Sequence, residues 1–313
     1  MSFLNSINKR LKSFFKNLSL IDVLNLSFFI ALLLLFFASF GSTPYKFHLL
    51  VIYPIIFVLF LISIHLRVKF SSKKWIKVFS IVIIVVFFFS LFQTFFMILP
   101  YFNANRYDQL MTDIDFWIFG VNPTVWLERT ISTLLTEIMY ILYFYYFPMP
   151  LIILGYLYKR KMYSEMEISI LSVLFCFYIA YITYFFVPVH GPRFFLENLH
   201  TVPLTGILLS EHIYNLIDFL ETNKFDCFPS LHTAVLLVAM YISYRFWRKF
   251  FWYNVPLALG ILFSLVYLRY HYVIDMIAGA IYAAASCYLM NQLYKMARNK
   301  FIPHFVKDYE KNN

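Results

Sequence analysis

Three short stretches of this chain hold side chains capable of acid-base, nucleophilic and anion-binding chemistry, and each lies at the edge of a long apolar run. They are VPVHGPRFF with Arg193, DCFPSLHTA with Ser230 and His232, and LRYHYVIDMIAGA with Arg269, His271 and Asp275. His271 and Asp275 stand four residues apart, so on a helix they share a face. A carboxylate at that spacing can accept a hydrogen bond from one imidazole nitrogen and leave the other as a nucleophile. Asp275 also falls about one turn inside an apolar segment, where an ionisable group is costly and marks a functional candidate. Pro229 and Ser230 read as the approach and the N-cap of a helix, which puts His232 and Thr233 in its first turn. Free backbone N–H groups and the positive end of the helix dipole attract an anion there. A histidine cation is disfavoured in that turn, so a phosphate partner explains it better than a bare cap. Arg193 follows a Gly-Pro turn; alone, an arginine at such a boundary is more often a headgroup contact.

These residues must be positioned by membrane helices. Of 313 residues, 62% are hydrophobic, 22% aromatic and only 13% charged, too little polar surface to cover a soluble globule. Runs long enough to cross a hydrocarbon core of about 30 Å lie near 20–40, 47–66, 76–100, 131–157, 167–188, 230–247, 250–268 and 271–294. They are continuously apolar, not alternating, which favours helices over a barrel. The expected fold is therefore all-α, a polytopic membrane helix bundle of about eight spans. Residues 1–75 would form an N-terminal segment with two extra spans, 76–300 a six-span catalytic core, and 301–313 a tail.

Loop charge tests that count, because cytoplasmic connections carry the excess of lysine and arginine. Lys9, Arg10, Lys12 and Lys16 precede the first run, RVKFSSKKWIK follows the second, YKRK the fourth, Arg245, Arg248 and Lys249 the sixth, and Lys295, Arg298 and Lys300 the eighth. Both termini are expected in the cytoplasm, with all three clusters at the opposite face. The net charge of +10 thus reports topology; the basic residues make no stripe for a nucleic acid. The basic N-terminus leads into a long apolar run with no small-residue cleavage site, as a retained segment does. YDQLMTDIDFWIFGVNPTVWLE, with Trp117 and Trp126, suits a helix in the headgroup layer.

Secondary candidates are weaker. Glu137, early in the fourth run with Tyr140 and Tyr143 after it, is a second intramembrane acid that could line a substrate site or equally tie helices together. His190, three before Arg193, could contact a headgroup. His48, His65, His200, His212 and His304 lie at span ends, in loops or in the tail. Cys176, Cys227 and Cys287 form no CxxC pair, so no disulfide framework, metal site or cofactor is expected.

Together FPSLHTA and the His-x3-Asp of RYHYVIDMIAG resemble the second and third signatures of the type 2 phosphatidic acid phosphatase superfamily, and Arg193 in GPRF occupies the place of its first. The resemblance runs from about residue 100 to the end. The common phosphatase pattern has lysine seven before its arginine, proline after it, glycine between the serine and histidine, and arginine six before the last histidine. Phe186, Phe194, Leu231 and Leu265 stand there instead. This form is more similar to the inositolphosphotransferase and inositol phosphorylceramide synthase branch. Arg269, by position alone, could supply the missing charge.

The resemblance implies that His271 attacks the phosphorus of a lipid phosphate ester to give a phosphohistidine while His232 protonates the departing oxygen and Asp275 orients His271. Arg193, Arg269 and Ser230 would hold the phosphate oxygens without a metal. Transfer of a phosphoryl-bearing head group from a phospholipid to a lipid alcohol leads; a lipid phosphatase with water as acceptor comes second. A lipid transporter, a third reading, would need paired broken helices or a repeat. The expected partners are lipid substrates and the bilayer, with no protein partner implied.

Overall fold

The computed structural model describes residues 17–70, 73–220 and 224–305. The basic residues Lys9, Arg10, Lys12 and Lys16 and the last eight residues lie outside that description. Everything described is helical or irregular; the sole strand-like feature is an isolated bridge between Val189 and Asp226. The residues group into two compact units, one of 1–102, 162–171 and 289–313, the other of 103–161 and 172–288.

In the first unit, α1 (Leu20–Ala38) begins with a capping box in which Ser19 and Asp22 satisfy each other's backbone N–H groups. The helix α2 (Lys46–Lys69) closes on Arg67 and Lys69, and α3 (Lys74–Phe96) follows. Aromatic rings fill the space between them, with Phe60 stacked on Phe87 at 4.5 Å and Phe29 edge-on to Tyr53 at 5.7 Å.

The second unit opens with α4 (Asp108–Phe119), ended by Gly120 in the left-handed region at φ 70°. Trp117 on this helix is 84% exposed, so it is not packed as core. Next come α5 (Thr133–Tyr145) and α6 (Pro148–Lys159). The sequence reads these as one run; the structure breaks it at Phe147–Pro148, because proline has no N–H to continue the ladder. Then α7 (Tyr163–Phe186), α8 (Ser210–Leu220), α9 (Leu231–Phe246), α10 (Arg248–Tyr267) and α11 (Val273–Ala297) complete the chain. The first residues of α7 and the last of α11 belong to the first unit. Within the second unit α9 packs on α6 and α10, and α5 on α8 and α10. Met139, Tyr140 and Tyr143 of α5 form its core with Leu265, Tyr267 and Leu268.

Among the described residues seven helical segments are long and apolar enough to cross a membrane, α5 and α6 counting as one. The chain is a multi-pass membrane protein. The expected sixth span is α9, with 16 residues and thus about 24 Å long, shorter than the others and joined to α10 through Trp247 alone.

Candidate active site

Two histidines from different elements meet at the beginnings of α9 and α11. Ser230 caps α9 by accepting from the Thr233 backbone N–H at 3.2 Å, and this puts His232 in the first turn. The Nδ1 of His232 lies 3.1 Å from the Nε2 of His271, and its Nε2 lies 2.7 Å from the Tyr143 hydroxyl. Rings of Tyr143 and Tyr146, each 4.9 Å away, pack on His232. On its other side His271 presents Nδ1 to Asp275 Oδ2 at 3.5 Å. The Cys227 thiol fills the space between, 3.4 Å from that Nδ1, and donates to Asp275 Oδ2 at 2.9 Å. Burial holds the His271 imidazole down to about 4, so it is neutral near pH 7 and keeps a lone pair for attack.

The geometry differs from a simple i, i+4 pair on a helix. Helix α11 starts at Val273, two residues after His271, and Asp275 accepts from the backbone N–H of Tyr272 at 2.9 Å. His271 therefore sits in the bend before the helix, and Asp275 closes that bend as well as facing the ring. Arg269 enters the bend at φ 65°, a conformation that costs a non-glycine residue energy and persists only where surroundings enforce it.

Carboxylates from distant segments do that enforcing. Asp115 of α4 accepts from the N–H groups of Val273 and Ile274 at 2.7 and 2.9 Å, covering the start of α11. Asp108, two turns earlier on the same helix, accepts from the His190 and Gly191 N–H groups and so fixes the loop carrying Arg193. Glu128 accepts from Thr201 and Val202 and pairs with Arg269 at 2.7 Å. Burial works to raise Glu128, but those amides and the guanidinium outweigh it and lower its pKa below the usual carboxylate value. Two glycines permit the close approach. A Cβ on Gly279 of α11 would collide with the Ser230 carbonyl, and one on Gly191, at φ 96°, would press on the Cys227 sulfur at 3.0 Å.

Beside the histidines lies a cavity of about 520 Å³ lined by Tyr140, Arg193, His200, Tyr214, Arg269 and Tyr270, among others. The guanidinium of Arg193 binds the Tyr214 hydroxyl and Asp218, and lies over the Tyr214 ring at 4.5 Å. Arg269 spans Glu128 and the Val202 carbonyl. Burial, with the Arg269 charge, holds His200 down to about 4, so it stays neutral. Neither His232 nor His271 lines the cavity. Tyr270 separates them from it, stacked on Tyr143 with ring centroids 4.7 Å apart.

Thus the structure brings His232, His271 and Asp275 into one contact chain, and puts Arg193, Arg269 and Tyr140 around one cavity. Ser230 is fully buried, its hydroxyl used as the cap and its N–H donated to the Asp275 carbonyl. His190 stacks on Phe225 at 4.2 Å, away from the cavity lining. Glu137 does not line the cavity either: it accepts four backbone N–H groups, from Ile207, Leu208, Leu209 and Ser210, and anchors the entry to α8. Sequence reasoning missed Cys227, Asp108, Asp115 and Glu128. The signal for Cys227 was present, since it stands in DCFPSLHTA itself. Cys227, His271 and Asp275 also form a set of ligand atoms close enough to hold a metal ion, which the cysteine spacing gave no reason to expect.

A sequence model of the PAP2 superfamily matches residues 108–289, from the first residue of α4 into α11, taking in all three clusters. No curated protein and no solved structure matches the chain.

Proposed function

The chain belongs to the PAP2 superfamily, and from that premise we propose that it moves a phosphoryl-bearing head group from a phospholipid donor to a lipid alcohol through a phosphohistidine on His271. A lipid phosphatase or phosphotransferase function fits the family; transfer is the finer reading. The observation that carries it is the cavity of about 520 Å³, which holds more than a phosphate and a water. Two arginines line it together with Tyr270, the residue before His271, and His271 is one of a histidine pair in contact at 3.1 Å.

His271 Nε2 attacks phosphorus while the ester oxygen departs, and His232 Nδ1 gives that oxygen its proton. Asp275, 3.5 Å from His271 Nδ1, stabilises the ring as it becomes cationic. Arg193 and Arg269 take the equatorial oxygens, as forked donors do best. In the second half-reaction the acceptor hydroxyl gives its proton back to His232 Nδ1 and attacks the phosphohistidine. Burial of Ser230 leaves its contribution in the capped start of α9, whose N–H groups face an incoming anion. We place this site on the non-cytoplasmic side, with both termini cytoplasmic, from the lysine and arginine content of the alternate loops. The aromatic-flanked His-Tyr-x-x-Asp and Pro-Ser-Leu-His favour the inositolphosphotransferase branch.

The test is to incubate purified protein in detergent with phosphatidylinositol, phosphatidic acid or polyprenyl pyrophosphate, each with and without ceramide or diacylglycerol. A new lipid that requires the acceptor is expected. Free phosphate as the sole product would replace transfer with hydrolysis, and no turnover of any donor would remove the reading.

A further inference from the structure

We propose that Tyr143 is a positioning residue that keeps Nδ1, never Nε2, as the working nitrogen of His232. The inference rests on the reading of His271 as nucleophile and His232 as acid and base. Tyr143 comes from the middle of α5, is fully buried, and has its hydroxyl 2.7 Å from His232 Nε2. Rings of Tyr146 and Phe147 pack around the same imidazole.

The hydrogen bonds in this chain can be written in one direction without conflict. Tyr143 O–H donates to His232 Nε2, His232 Nδ1–H donates to His271 Nε2, and His271 Nδ1–H donates to the Cys227 sulfur, whose S–H donates to Asp275. Each imidazole then donates once and accepts once, as a neutral ring must.

A hydroxyl suits this position because it can reverse. When an anionic substrate arrives and His232 takes up a proton, Nε2–H donates to the Tyr143 oxygen, and Nδ1–H turns to the leaving oxygen. The P–Nε2(His271) bond forms as the P–O bond breaks, the electron pair of that bond stays on oxygen, and oxygen receives the Nδ1 proton. His232 is left neutral with its proton on Nε2, still held by Tyr143, so Nδ1 carries a lone pair. That lone pair is what the acceptor hydroxyl needs when it surrenders its proton in the second half-reaction. Without the Tyr143 hydroxyl no contact to Nε2 holds the proton there at this stage, and the neutral ring can carry its lone pair on either nitrogen. The wrong tautomer of a catalytic histidine is known to cost far more than the energy of one hydrogen bond.

The experiment is a double-mutant cycle on the full chain in detergent, using whichever donor in the panel above wild type turns over. Tyr143→Phe keeps the ring and its packing, and is expected to lower kcat on the order of 10²-fold with KM little changed. In a His232→Ala background the same substitution is expected to change nothing, because there is no imidazole left to position. Equal losses from Tyr143→Phe in both backgrounds, or a Tyr143→Phe enzyme at the wild-type rate, would overturn the proposal. As a second probe, fluorinated tyrosine at 143 keeps the hydroxyl while lowering its basicity, and should move the pH profile of kcat; an unmoved profile counts against it. Failure of the underlying reading looks different: wild type would turn over no donor, or His232→Ala would stay fully active.

Discussion

Both units bury a cluster of ionisable side chains, and on the proposed function only one of the two does chemistry. In the first unit Arg67 pairs with Asp22, Asp22 also receives Ser19, Ser19 meets His304 Nδ1 at 2.7 Å, and the His304 N–H reaches Glu167 at 3.2 Å. The room left among Asp22, Arg67 and His304 is about 10 Å³, close to the minimum that holds one water. In the second unit the histidine pair contacts Tyr143, Tyr143 stacks on Tyr270, and Tyr270 lines a cavity of fifty times that space with two arginines on its lining. Burial of polar groups is common to both. What separates a brace from a site is volume next to groups whose charge can change.

The comparison is broken or sharpened most forcefully at its two centres. His271→Ala should reduce turnover by at least about 10³-fold with the thermal midpoint held near wild type; retention of full activity would remove the nucleophile. Arg67→Ala should do the reverse. It strands the buried Asp22 carboxylate, at a cost of about 3–5 kcal/mol in stability, while kcat of the protein that stays folded is unchanged. A variant that lost kcat at normal stability would mean the first cluster takes part in the reaction.

How much of this was legible in the sequence follows from the range of the forces involved. Lipid demands some twenty consecutive apolar residues per helix, so the runs stand out in the sequence, the sixth of them, the 16-residue α9, included. His271 and Asp275 were visible because their partner is local. Tyr143 stood out only as a neighbour of Glu137 among 25 tyrosines, and its contact with a histidine 89 residues away was not readable there. Asp108, Asp115 and Glu128 looked like ordinary acids of interfacial segments, since the backbone amides they accept come from loops far along the chain. The same blindness covered His304, which reads as a tail residue and is buried against the start of α1. The break between α5 and α6 was written in Pro148, but a continuous apolar run hides a short interruption.

Smaller effects probe the cavity. Arg193→Ala removes a charged donor, and such hydrogen bonds contribute about 1.5–3 kcal/mol. Inhibition by inorganic phosphate or vanadate should weaken roughly 10- to 100-fold; an unchanged inhibition constant would take Arg193 out of the phosphate site. The pH profile gives the next test. Because burial holds His271 down to about 4, the nucleophile stays neutral through pH 5, and the acid limb of the phosphorylation step should fall near 4 rather than near the ordinary 6.5. Stability has its own sign: between those values the unfolded chain binds a proton that the native ring refuses, so stability drops as pH falls through that window. Burial and the Arg67 charge also hold His304 well below its usual value, so acid weakens the first cluster in the same sense, and only the activity limb separates the two.

The smallest effect expected tests whether the thiol between Asp275 and His271 is packing or part of the device. Cys227 is buried, donates to the carboxylate at 2.9 Å and touches His271 Nδ1 at 3.4 Å. Burial, with the charges of Asp275 and its neighbours, pushes the thiol pKa far up, so it remains a donor and not a competing anion. Cys227→Ala deletes one of two donors to Asp275 Oδ2, the other being the Tyr272 N–H. The loss of about 1 kcal/mol that follows from one such hydrogen bond should lower kcat severalfold without shifting KM. Cys227→Ser offers a donor again on a shorter side chain and should recover part of that loss. Were alanine and serine to behave alike, with kcat unchanged in both, sulfur would be filling space under the glycine at 191, and orientation of His271 would fall to Asp275 alone.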